Sequence, residues 1–111
     1  MMSDLVPDAI EGYFAALNDR DAERLAELFT PDALVVDEGE TWRGSNEIRT
    51  WANSVAFKYK YTAEVHGVED AGDGSYVARV RLEGNFPGGT VELHVRFDLE
   101  GDRIRRLENA A

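Results

Sequence analysis

The dominant hydrophobic period of this chain changes near residue 57, with one short strand-like run before it, and that change limits it to a small set of architectures. Before it, apolar residues recur at three- and four-residue spacing, as in helices with one buried stripe. After it they recur at every second residue, as in strands with one dry and one wet face. Consecutive strands with a dry face must cover that face, and the preceding helices are the only cover available. The expected fold class is therefore α+β: a cone-shaped, curved antiparallel sheet wrapped around three N-terminal helices, in a single domain over residues 1–111.

In the helical half, Val6, Ile10, Tyr13, Phe14 and Leu17 share one stripe of a first helix, Leu5 to Asn18. Asp21 can cap a second helix, Ala22 to Phe29, which buries Ala22, Leu25, Leu28 and Phe29 and stops at Thr30-Pro31-Asp32. Ala33 to Asp37 reads as a short strand whose alternation turns Ala33, Val35 and Asp37 to one face. Glu38-Gly39-Glu40 is a turn, and Ser45 can cap a third helix, Asn46 to about Val55, with Ile48, Trp51, Ala52 and Val55 inward.

The second half reads as four strands. The first carries Phe57, Tyr59, Tyr61, Ala63 and Val65 on its dry face and ends at a loop, Asp70 to Ser75. The second carries Tyr76, Ala78, Val80, Leu82, Gly84 and Phe86, and turns at Pro87-Gly88-Gly89. The third, with Val91, Leu93, Val95, Phe97 and Leu99, alternates most cleanly; the last, Arg103 to about Asn109, has Ile104 and Leu107 as its apolar members.

Twelve Lys and Arg against 22 Asp and Glu give a formal charge of −10, which repels phosphate backbones and anionic membranes, so neither nucleic acid nor membrane is an expected partner. The absence of cysteine excludes thiol catalysis and disulfides. The start Met1 to Pro7 lacks the basic and apolar regions of a signal peptide, and no apolar run approaches the about 18 residues of a membrane span, so a cytoplasmic location is expected. No phosphate loop, nucleophile elbow or dinucleotide fingerprint occurs, and no cofactor is indicated. His66 and Glu69 lie three apart on a strand and face opposite ways, and no zinc spacing exists, so no metal site is expected.

Tyr13 and Asp37 are the candidate catalytic pair, because the phases of the first helix and the first strand turn both inward. A carboxylate desolvated among Val35, Trp42, Trp51, Phe86, Leu93 and Val95 suits a general base, and a phenol beside it can donate to a carbonyl or enolate oxygen. The alternative is that Tyr13 is a core aromatic and Asp37 only ends a strand. Trp42, Trp51, Tyr59, Phe86, Leu93 and Val95 are the candidate ligand-binding wall, with Trp42 at the mouth; core packing explains Trp51 equally well.

Tyr13-Phe14-Ala15-Ala16-Leu17-Asn18, Asp21, Ala26-Glu27-Leu28-Phe29, Pro31-Asp32-Ala33 and Arg43-Gly44 before Ile48-Arg49 resemble the nuclear transport factor 2-like superfamily, and within it the SnoaL-like proteins. Gly84-Asn85-Phe86-Pro87-Gly88 and Ile104-Arg105-Arg106-Leu107 are similar to the C-terminal half of that group. The resemblance spans nearly the whole chain and implies a cystatin-like cone with a mixed-edge sheet. Ketosteroid isomerases of this superfamily carry a helix-one tyrosine and an aspartate base at the end of the first strand, positions that match Tyr13 and Asp37. Leu93 falls where their second oxyanion-hole aspartate stands, which argues against steroid isomerisation and leaves proton transfer by Asp37.

Two readings follow. One is a small-molecule isomerase- or cyclase-type enzyme using Asp37 as base in an apolar pocket; the other is a non-catalytic ligand-binding or dimerisation module with the same cavity. A small apolar ligand is the expected occupant. The wet face, with Arg79, Arg81 and Arg96 laddered against Glu64, Glu83, Glu92 and Asp98 and with both histidines outward, is the expected homodimer surface, as the resemblance implies.

Overall fold

The computed structural model describes residues 6–110. In chain order it contains α1 (Asp8–Asp19), α2 (Ala22–Glu27), β1 (Phe29–Asp37), β2 (Glu40–Arg43) and α3 (Gly44–Trp51), the last continued by a π-helical turn (Ala52–Ala56). Then follow β3 (Tyr61–Gly72), β4 (Ser75–Gly84), β5 (Thr90–Glu100) and β6 (Arg103–Ala110). Leu5 and the segment before it lie outside the described residues. The six strands form one curved, unclosed sheet in the order β2-β1-β6-β5-β4-β3, antiparallel except for the β1–β6 pair. The expected α+β class is the observed one.

Ile10, Tyr13, Phe14 and Leu17 of α1 pack with Val35, Val95, Phe97 and Leu107 of the sheet in one buried cluster. Helix α1 ends at Arg20, whose left-handed backbone (φ 57°) would favour glycine. Its side chain compensates: the guanidinium donates to the carbonyls of Tyr59 (3.0 Å) and Phe57 and lies over the Phe57 ring. Asp21 caps α2 as expected, accepting from the Arg24 N–H at 3.1 Å.

Several expected boundaries are corrected. Helix α2 stops at Glu27, and Phe29 opens β1 instead of closing the helix. Glu40–Arg43 is a strand, β2, paired with β1 across a two-residue turn, where the sequence shows only a turn. Helix α3 starts at Gly44 rather than Asn46, because Glu47, not Ser45, satisfies the open end by accepting from the Arg43 N–H at 2.7 Å. Strand β3 begins at Tyr61, four residues after Phe57: the Phe57 and Tyr59 carbonyls are taken by Arg20, and Lys60 is paired to Asn85 through N–H and carbonyl. The expected loop from Asp70 to Ser75 shrinks to the tight turn Asp73-Gly74 between β3 and β4.

Register shifts bend the sheet: one at His66, one at Arg105, and others at Ala71 and between Phe29 and Leu34. Val65 faces Val80 and Gly67 faces Arg79, so His66 is the extra residue and the β3 alternation flips there; Val65, expected inward, is 39% exposed. On β6, Leu99 faces Ile104 and Asp98 faces Arg106, which leaves Arg105 unpaired and turns both Ile104 and Leu107 into the core. On the free edge of β3, the Asn18 amide donates to the Ala63 carbonyl (3.1 Å) and accepts from its N–H (2.7 Å), as a neighbouring strand would.

On the wet face, register sets Arg81 opposite Glu64 and Glu92, but the ion pairs run along strands, not across them: Arg81–Glu83 at 3.2 Å and Arg96–Asp98 at 3.5 Å. The Arg81–Glu83 pair is exposed and contributes little to stability, about 0–1 kcal/mol, whereas Asp98 is largely buried and also accepts from the Ser75 hydroxyl. Both histidines are exposed, with His66 2.7 Å from Glu64.

Candidate functional site

A cavity of about 570 Å³ lies between α1, the π-helical turn and the inner face of β3–β6. Its walls include Tyr13, Asp37, Trp51, Tyr59, Phe86, Leu93 and Val95, so both expected catalytic residues and five of the six expected wall residues meet there. Trp42 is elsewhere: it pairs opposite Val35 in the β1–β2 ladder and packs half-buried against the core, away from the cavity lining.

Asp37 closes β1 on the inward phase that Ala33 and Val35 begin, and it is half-buried. Trp51, buried at the C-terminal end of α3, donates its indole N–H to Asp37 Oδ2 at 3.0 Å. That bond fixes the carboxylate's direction and leaves Oδ1 for the cavity.

Tyr13 is 2% exposed, and its ring meets Phe14, Phe29 and Phe97 edge-on. Burial pushes its phenol well above the ordinary range, with Tyr61 and Asp37 adding to the effect. The Tyr61 phenol is pushed up to about 12, again mainly by burial; Arg20 opposes the rise and Asp37 supports it. Both phenols are therefore neutral hydrogen-bond donors across the physiological range. The Tyr61 hydroxyl donates to the Ala56 carbonyl at 2.5 Å, whereas the Tyr13 hydroxyl has no partner among the described residues. Of these two phenols, Tyr13 is the one with a proton to offer a ligand.

Tyr61, Asn109, Val55, Lys58 and Glu38 also line the cavity and were not identified from sequence as site residues. Tyr61 was legible as an inward residue of β3, but its hydroxyl depends on the π-helical turn that brings Ala56 to it. Asn109 faces Val95 across β5–β6, and the β1–β6 register, Val36 opposite Glu108, carried one step further sets it beside Asp37. No signal in a single sequence marks that parallel neighbour. Among the described residues no three His, Cys, Asp or Glu side chains gather as a metal site.

The arrangement offers a positioned carboxylate, a neutral phenol donor and aromatic and aliphatic walls. It resembles known proteins along its whole length. A crystal structure from Sinorhizobium meliloti, assigned as a polyketide cyclase, is 33% identical and superposes with a TM-score of 0.88 over 98% of this chain and 99% of that one. A Catenulispora acidiphila protein of ketosteroid isomerase-like fold, solved in complex with trimethylamine, is 19% identical with a TM-score of 0.84, covering 95% of this chain and 85% of that one. The epoxide hydrolase/cyclase-like enzyme SalBIII, which has a role in pyran ring formation in the polyether salinomycin, is 19% identical with a TM-score of 0.80 over 93% of this chain and 87% of that one. A search of curated proteins finds no match. The sequence model of the SnoaL-like domain matches residues 10–107, and the chain belongs to the SnoaL-like domain family.

Proposed function

We propose that the cavity is the site of a small-molecule isomerase or cyclase that moves a proton on an apolar carbonyl compound. Asp37 is the general base, Tyr13 the donor to the carbonyl oxygen, and Trp51 the residue that orients the base. The observation that carries the reading is the pairing of a carboxylate held at 3.0 Å by Trp51 with a buried, unpartnered phenol in the same cavity. Asp37 Oδ1 takes a proton from the carbon next to the carbonyl, and the negative charge moves to oxygen, where Tyr13 donates. The enolate is then reprotonated at another carbon or closes a ring onto an internal electrophile. Phe86, Tyr59, Leu93 and Val95 supply apolar area for the substrate.

Leu93 favours a second reading, a binding module without turnover, since a leucine on that wall supplies no donor to share the carbonyl oxygen with Tyr13. Deuterium exchange next to the carbonyl, followed by NMR over a panel of apolar ketones, separates the two. The enzyme exchanges deuterium, and its Asp37→Asn variant does not; exchange with no ketone, or unchanged exchange in Asp37→Asn, defeats the first reading and leaves the second. We further propose that the wet sheet face pairs two copies and that the protein acts in the cytoplasm; among the described residues no helix is long and apolar enough to cross a membrane.

A further inference from the structure

The cavity has a charge imbalance that proton transfer on a neutral ketone does not use. Its lining holds two acids, Asp37 and Glu38, and one base, Lys58. Neither carboxylate is in an ion pair among the described residues, and the Lys58 ammonium lies over the Tyr59 ring, 5.5 Å from its centre. Asp37 is half-buried and Glu38 exposed at the rim, so the lining carries one negative charge more than Lys58 offsets, a charge that a neutral compound does not use.

Glu38 also stands where the backbone does not favour glutamate. It is the first central residue of the β1–β2 turn, at φ 52°, followed by Gly39 at φ 80°. Turns with two positive φ values take Asn, Asp or Gly at that position. A glutamate held there directs a carboxylate to the cavity rim at some conformational cost.

The same cavity is lined by the rings of Tyr59, Tyr61 and Phe86, and by those of Tyr13, Phe14 and Trp51, which are buried. Aromatic faces carry negative potential and attract cations whose hydration is weak. A metal ion or primary ammonium is a poor match, because its water shell must be replaced by several oxygens. Here Asp37 Oδ2 is already engaged by Trp51, and the Tyr61 hydroxyl donates its proton to Ala56. An alkylated ammonium asks for carbon surface and diffuse negative charge, which this wall has.

We propose that the ligand of this cavity carries a tertiary or quaternary alkylammonium group, its alkyl arms against the aromatic rings and its charge balanced by Asp37 and Glu38. The proposal rests on the reading of the cavity as a small-molecule site and adds a cationic substituent to the carbonyl compound.

The test compares choline with its uncharged isostere 3,3-dimethylbutan-1-ol, titrated at constant ionic strength with sodium chloride as the control. The signal is the Trp51 indole N–H resonance in a ¹⁵N-labelled sample. Choline is expected to bind about tenfold more tightly than the alcohol, and sodium to leave the resonance in place. Glu38→Gln lowers the choline-to-alcohol affinity ratio about threefold and Asp37→Asn about tenfold; the exposed Glu38→Gln substitution keeps the test valid if Asp37→Asn folds poorly. Equal binding of the two isosteres, indifference of choline to both substitutions, or no choline binding at all overturns the proposal. Ketone exchange without choline selectivity sinks the cationic substituent alone, and choline selectivity without exchange sinks the proton transfer alone.

Discussion

The Trp51 indole N–H reaches Asp37 Oδ2 at 3.0 Å across fourteen residues of chain, from the last turn of α3 to the last residue of β1. The bond closes the short β1–β2–α3 segment on itself and ties a core aromatic to the candidate base. A hydrogen bond to a charged group in a partly buried setting contributes about 1.5–3 kcal/mol. Trp51→Phe removes both the donor and part of a filled volume, so urea denaturation is expected to show a loss of about 2–4 kcal/mol. In an Asp37→Ala background the same substitution costs about 1–2 kcal/mol less, and an additive double-mutant cycle would mean that the bond contributes nothing.

Tyr61 sets an alkaline limit. Its phenol is raised to about 12 in the folded protein, above the value near 10 of an unfolded tyrosine. An acid whose folded pKa is raised releases its proton first from the unfolded chain. The stability difference tied to Tyr61 is therefore fully present below about pH 10 and is lost as pH rises towards about 12. Urea midpoints of the wild type are expected to fall over that window more steeply than those of Tyr61→Phe, which has no proton to lose. Identical slopes would contradict the assignment.

Asn18 substitutes for a missing strand along the β3 edge, with bonds of 3.1 and 2.7 Å to Ala63. Asn18→Ala leaves one strand donor and one acceptor without their partner and is expected to cost about 1–2 kcal/mol. Asn18→Asp, which keeps the acceptor and loses the donor, lies between the two. Amide exchange read at Ala63 should speed up in Asn18→Ala and change little in Asn18→Asp, which keeps the acceptor for that N–H; unchanged protection in the alanine variant would show that Asn18 does not hold this edge.

Gly84 and Gly67 differ in what a side chain would meet. A Cβ at Gly84 runs into the Lys60 carbonyl and comes within 2.6 Å of Tyr61 Cβ, groups fixed by the Asn85 clamp and the start of β3. At Gly67 it meets the guanidinium of Arg79, the free end of a flexible side chain. Gly84→Ala is expected to destabilise by about 1–3 kcal/mol, whereas Gly67→Ala stays within about 1 kcal/mol of the wild type. Thermal melting of the two variants checks the order, and a reversed order would refute the clamp as a rigid part of the cavity mouth.

What the sequence determined by itself is whatever depends on neighbours in the chain. Period-two alternation turned Ala33, Val35 and Asp37 to one face of β1 and lined up Leu93, Val95 and Phe97 in β5, because pleating makes side-chain direction a local property. The stripe Ile10, Tyr13, Phe14 and Leu17 was readable for the same reason in a helix. The meeting of Tyr13 and Asp37 in one cavity followed from these phases and the need to cover a dry face.

Only the tertiary structure decided the rest. Residues 57–60 alternate like a strand, yet Arg20, thirty-seven positions before Phe57, takes two of their carbonyls, and the strand begins only at Tyr61. The His66 bulge reverses the phase beyond it, an insertion that alternation cannot reveal. Trp42 has the composition of a pocket residue but is drawn opposite Val35 by a four-residue strand too short to announce itself. Asn109 reaches the cavity that Asp37 lines because β6 returns parallel to β1. Each of these is a pairing between distant segments, set by which hydrogen-bonding groups remain unsatisfied once the helices and strands have packed.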